Sequence, residues 1–160
     1  MATMFMPALE GALERIKDCE KINFIRSAKN DKNKYFLIAG VSGGANIELT
    51  SPQRAFSYPF EPVLSFKAHL GDSYFKNFVL LNDHNALNWR NLEQIHMLKD
   101  QSTGIATVTA EFKDGSVEEL FKVRSKKMAI MQQQIYKTMK QVQALASIEN
   151  AKRQHEDPQM

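Results

Sequence analysis

Apolar residues change their spacing along this chain. Between residues 21 and 123 they recur mostly at every second position, whereas from 125 to 150 they recur every third or fourth. A short helix is predicted first, over residues 7–20, where Leu9, Ala12, Leu13, Ile16 and Cys19 share a face and Pro7 suits the opening turn. Strands follow at 21–27 and 34–40 around the polar loop AKNDKN, and Ser42-Gly43-Gly44 turns the chain into 45–50. Three prolines make 51–62 an irregular connection. Residues 63–70 alternate Leu64, Phe66, Ala68 and Leu70 against polar neighbours and predict a strand, as do residues 73–82. Residues 83–90 read as a polar loop carrying the single tryptophan, Trp89. Strands at 92–99 and 105–112 lead to Asp114-Gly115, which predicts a type I′ hairpin. The strand returning from it shows Val117, Glu119, Phe121 and Val123 on one face.

The last element is a long helix opened by Ser125 as N-cap. Its apolar stripe is Met128, Met131, Ile135, Met139, Val142 and Leu145. At 1.5 Å per residue it is about 40 Å long, wider than a small sheet. Its distal part, Val142, Leu145 and Ile148, is therefore expected to project and dock on another chain, a different protein or a second copy. The fold class expected is α+β, mainly β: an antiparallel sheet or barrel of seven to eight strands, with a short N-terminal and a long C-terminal helix. One domain is expected over 1–150, with a polar tail at 151–160.

Composition narrows the class. With 43% hydrophobic and 24% charged residues the chain is neither disordered nor low-complexity. One cysteine excludes an intramolecular disulfide framework. No apolar run approaches the roughly 20 residues of a membrane span. Glu10 and Glu14 break up any secretory leader, so a cytoplasmic location is expected. The net charge of +3 is unevenly spread: residues 122–160 hold eight Lys and Arg against three Asp and Glu, whereas 61–121 hold five against nine. That surplus suits an acidic partner. It lacks the dense cationic stripe and the motif of a nucleic-acid-binding domain.

Catalytic and cofactor motifs are missing from the pattern. His69, His84, His96 and His155 have no metal-ligand spacing, Cys19 sits on an apolar helix face, and no nucleotide-binding or nucleophile-elbow motif occurs. No cofactor or metal is expected. Ser42-Gly43-Gly44 is weighed as an anion cradle, but it joins two strands without a following helix and reads as a turn. Two cationic clusters remain. Lys29, Lys32 and Lys34 surround the first hairpin loop, and Lys122, Arg124, Lys126 and Lys127 straddle the entry to the long helix. Cations at a helix N-terminus oppose the macrodipole by about 0.3–1 kcal/mol each, so Lys126 and Lys127 call for an acidic neighbour or an anionic partner.

The order of strands, the Asp-Gly hairpin within 111–121 (EFKDGSVEELF), one further strand and a closing amphipathic helix resembles the pleckstrin-homology-like fold, bacterial members included. The likeness is architectural and spans about residues 20–148; the closing helix lacks the tryptophan usual in eukaryotic members. It implies anionic lipid head-group binding, with Lys29, Lys32 and Lys34 in the place of the basic residues that flank the first loop. The residues themselves favour a non-enzymatic module that binds another protein. A ligand cavity lined by His69, Tyr74, Trp89 and His96 is the competing expectation.

Overall fold

A computed structural model describes residues 19–43, 45–50 and 55–156. The helix expected over 7–20, apart from its last two residues, lies outside them, as do Gly44 and the side chains of Cys19 and His155. After a short turn at Cys19–Lys21 come β1 (Ile22–Lys29), β2 (Tyr35–Val41) and β3 (Asn46–Glu48). Two helices follow, α1 (Glu61–Leu70) and α2 (Asp72–Phe75), and then β4 (Phe78–Asn82) and β5 (Asn85–Asn88). The chain finishes with β6 (Leu92–Lys99), β7 (Ile105–Phe112), β8 (Val117–Arg124), a turn at Ser125–Lys127 and α3 (Met128–Glu156).

Among the described residues are eight antiparallel strands, but they form two sheets rather than one. The first has the order β3-β2-β1-β5-β4 and the second β6-β7-β8. The first sheet is covered on both faces. On one side Ile25, Leu37 and Ala39 meet Val63, Phe66 and Phe75 of α1 and α2. On the other, Phe24, Ile38 and Leu87 meet Val108, Ala110 and Phe112 of the second sheet, together with Val142 of α3. Two-sided burial explains the unbroken buried runs at the start of β1 and through β5, where a half-exposed strand would alternate.

That layering accounts for the differences from the sequence reading. Residues 63–70 are helical: Pro62 occupies the first turn, and Val63, Phe66 and Leu70 face the first core at helical spacing. Residues 73–82 split into the turn of α2 and strand β4. The supposed loop at 83–90 contains β5, paired between β1 and β4; its asparagines belong inside, Asn88 Nδ2 donating to the Ile22 carbonyl at 2.7 Å. In β8 the pairing skips Leu120, because Val108 faces Phe121 while Thr109 faces Glu119. This bulge reverses the alternation, burying Leu120 and leaving Val117 exposed. The Asp114-Gly115 hairpin exists, but only Gly115 has positive φ (+90°). The Gly115 amide donates to the Phe112 carbonyl at 2.9 Å, the geometry of a type I turn with a glycine bulge. The helical stripe Met128, Met131, Ile135, Met139, Val142 and Leu145 packs on the second core, and α3 runs six residues past position 150.

Candidate functional site

Strand β8 is an edge of the second sheet, and α3 begins immediately after it. The angle between them opens a groove of about 570 Å³. Its basic wall is Lys122, Arg124, Lys126 and Lys127, and its apolar side is Phe121, Val123, Ile130 and Met131. Ile130 is 70% exposed there, unusual for so large an aliphatic side chain on an otherwise polar helix face. Asn82 and His84 complete the lining, brought in by the tight β4–β5 connection. Among the described residues, none of the ten that line it is acidic. Neither the turn Ser125–Lys127 nor the first turn of α3 contains an acidic residue, so the helix entry does not compensate its own lysines. The cap position of that turn is Arg124 rather than Ser125, and its side chain makes no capping bond. Asp83 acts on the neighbouring His84, and Lys122 acts on Asp100.

His84 is held by a short relay whose donors and acceptors can be assigned in sequence. The His84 amide donates to Asn82 Oδ1 at 3.1 Å, which identifies that atom as the oxygen. Asn85 Nδ2 donates to the same oxygen at 3.0 Å and also lies 3.0 Å from His84 Nδ1. Nδ1 is therefore the acceptor, and the proton of the neutral ring is on Nε2. Asn85 Oδ1 is left buried without a partner, the one such side-chain atom found among the described residues. Reversing that amide would set two acceptor oxygens against each other, so the unpaired carbonyl is the smaller cost. The ring stands edge-on to Phe121, centroids 6.0 Å apart. Burial lowers the His84 pKa from its ordinary 6.5; Asp83 pulls it up and Arg26 pushes it further down.

Lys29, Lys32 and Lys34 do not join this groove. Lys29 Nζ lies 6.0 Å from the Tyr35 ring centroid, Lys34 Nζ is 3.5 Å from Ser57 Oγ, and Lys32 is exposed in the loop. Of the three docking positions on α3, Val142 is 7% exposed within the second core and Leu145 packs against that core, leaving Ile148 outward. The proposed cavity residues are dispersed: His69 is exposed on α1, Tyr74 packs on the first core, His96 contacts Glu111 at 3.2 Å, and Trp89 donates to the Lys76 carbonyl. Between the sheets, a crevice beside Phe24, Gly40 and Ser116 holds about 30 Å³, one water's worth of space. The Gly43 amide, weighed as part of an anion cradle, does bind an anion: the chain's own Asp114, at 2.9 Å.

Among the described residues no group of three or more His, Cys, Asp or Glu is placed to hold a metal ion, and no helix is long and apolar enough to cross a membrane. No local pattern signals that Asn82 and His84 join the basic cluster, since they lie some forty residues away from it. Comparison with family models, curated proteins and solved structures returned no match.

Proposed function

We propose that the chain is a non-enzymatic interaction module whose groove between β8 and α3 holds an acidic, partly apolar segment of another protein. The observation that supports this most directly is the convergence of four cations with no carboxylate among the described lining residues, beside an apolar wall that includes exposed Ile130. Charge steers such a segment in, and the apolar wall gives its hydrophobic side chains a seat. Among the described residues β8 lies at the edge of its sheet, which suits an extended chain that can add main-chain hydrogen bonds along it. The pleckstrin-homology-like resemblance is part of this proposal at the level of architecture alone, antiparallel sheets closed by a C-terminal helix.

A fluorescein-labelled peptide of glutamate pairs separated by single leucines tests the reading. Its anisotropy with the full chain should report saturable binding that weakens as salt rises, because exposed charges are screened over about 8 Å at physiological ionic strength. The double change Lys126→Glu, Lys127→Glu should weaken binding at least about tenfold while circular dichroism stays unchanged. Affinity indifferent to both salt and charge reversal would overturn the proposal. So would vesicles containing phosphatidylserine binding through these lysines while the peptide does not.

A further inference from the structure

We infer that His84 is the proton-linked specificity determinant of this groove: as a neutral ring it offers one N–H to an oxygen of the acidic segment, and occupancy adds a proton to it. The inference deepens the proposed function and depends on the groove being the binding site. Its basis is geometric. Nδ1 is taken by Asn85, so the nitrogen left for a ligand is Nε2, on a side chain that lines the groove. The relay through Asn82 and Asn85 fixes the tautomer before any ligand arrives, which makes His84 a ready-placed donor. Four permanent cations attract any anion; a single oriented N–H selects one that places an acceptor beside Phe121.

The charges around the ring set the direction of proton linkage. Asp83 adjoins it in the β4–β5 turn and Arg26 acts on it from β1, the latter paired to Glu118 of β8 at 2.5 Å. Lys122 and Arg124 of β8, with Lys126 and Lys127 at the helix entry, share its groove. In the free protein, burial and Arg26 outweigh Asp83 and favour the neutral imidazole. A bound carboxylate reverses that balance, since an opposite charge beside the ring favours imidazolium; the added proton sits on Nδ1, and Asn85 turns its amide to present Oδ1 to it, giving up its bond to Asn82. Linkage is reciprocal: whatever raises the affinity of His84 for a proton makes protonation raise the affinity for the ligand. Glutamates of the segment remain ionised near neutral pH, so their own titration does not imitate the effect.

The test combines long-range ¹H–¹⁵N spectra of the full chain with the same glutamate–leucine peptide. In the free protein, His84 should show the Nε2–H tautomer. Saturating peptide should raise its titration midpoint by about one pH unit, and the peptide should bind about three- to fivefold more tightly at about pH 6 than at about pH 8. His84→Gln should bind at the higher pH and lose the pH dependence. An Nδ1–H tautomer, affinity independent of pH in the native chain, or a pH dependence that survives His84→Gln would each overturn the inference. Should Lys126→Glu, Lys127→Glu abolish binding while His84→Gln changes nothing, this inference alone falls. Should neither variant affect binding, the groove reading falls with it.

Discussion

Two grooves of nearly equal size, about 570 and 580 Å³, lie along α3, and both contain cations. They differ in who neutralises the charge. Toward the C-terminal end, Arg90 pairs with Glu149 Oε2, and Arg153 reaches Glu149 Oε1 at 3.0 Å from one turn below. Arg90 also stacks 4.4 Å above the Trp89 ring, and the indole N–H donates to the Lys76 carbonyl at 3.0 Å. Its arginines hold the chain's own elements together. At the entry to α3 the lysines oppose the helix dipole without a carboxylate in either first turn. Cationic grooves are thus not equivalent evidence: one has its counter-charge built in, and the other leaves it to be supplied.

The most severe way to break the comparison is to remove the helix that both grooves share. Val142→Asp places an unpaired charge in the second core and should cost at least about 3 kcal/mol, read as a fall in melting temperature with loss of peptide binding. A sharper test sets the two grooves against each other. Glu149→Gln should cost about 1 kcal/mol, because two arginines lose their partner at a partly exposed site. Lys126→Glu, Lys127→Glu should have the opposite sign, stabilising by a few tenths to about 1 kcal/mol as the charge at the helix start becomes favourable. Equal losses in denaturant melts would erase the distinction.

Titration gives the smallest separation. The Arg90 hydrogen bond holds the Glu149 carboxyl below its ordinary 4.5, and bonds from Ser116, Gly43 and Asn23 hold Asp114 far below its ordinary 3.8. For a carboxylate depressed in the fold, the contribution is complete above the unfolded value and fades as pH falls toward the folded one. His84 acts in a different window. Its folded pKa lies below 6.5, so the unfolded chain protonates first, and stability drops as pH falls from 6.5 toward the folded value. Stability measured against pH should therefore show a shallow step just below neutrality that His84→Gln removes. A separate acid limb should be reduced by Glu149→Gln at the C-terminal groove.

The helical stripe of α3, the hairpin loops and the basic cluster at 122–127 were legible because each is local: spacing, turn chemistry and charge are written in adjacent residues. What escaped depends on distant partners. Strand β5 is Asn-Ala-Leu-Asn, polar at both ends, and partners such as the Ile22 carbonyl, the Arg90 amide and the relay to Asn82 make its asparagines interior residues. Helix α1 fits a period of two through Leu64, Phe66, Ala68 and Leu70, yet Leu64 and Ala68 are exposed and the buried positions are three and four apart. The bulge at Leu120 inverts an alternation that the sequence displays plainly. For the groove, the four cations were readable, whereas Asn82 and His84 enter through the pairing of β4 with β5.

The place of β1 also governs how the chain is assembled as it is synthesised. β1 forms its first hairpin with β2 at once, but its other edge waits for β5, some sixty residues later. Until then the emerging chain carries an open, apolar strand edge, the kind of surface that invites pairing with a neighbouring molecule. The second sheet is a simple meander and has no such wait. Asn23 then receives its hydrogen-bond partners Asp114 and Ser116 from 91 and 93 residues downstream, fastening the last hairpin made to the first strand released. Among the described residues assembly is therefore slow in the first sheet and quick in the second, and β1 is the last strand to be completed.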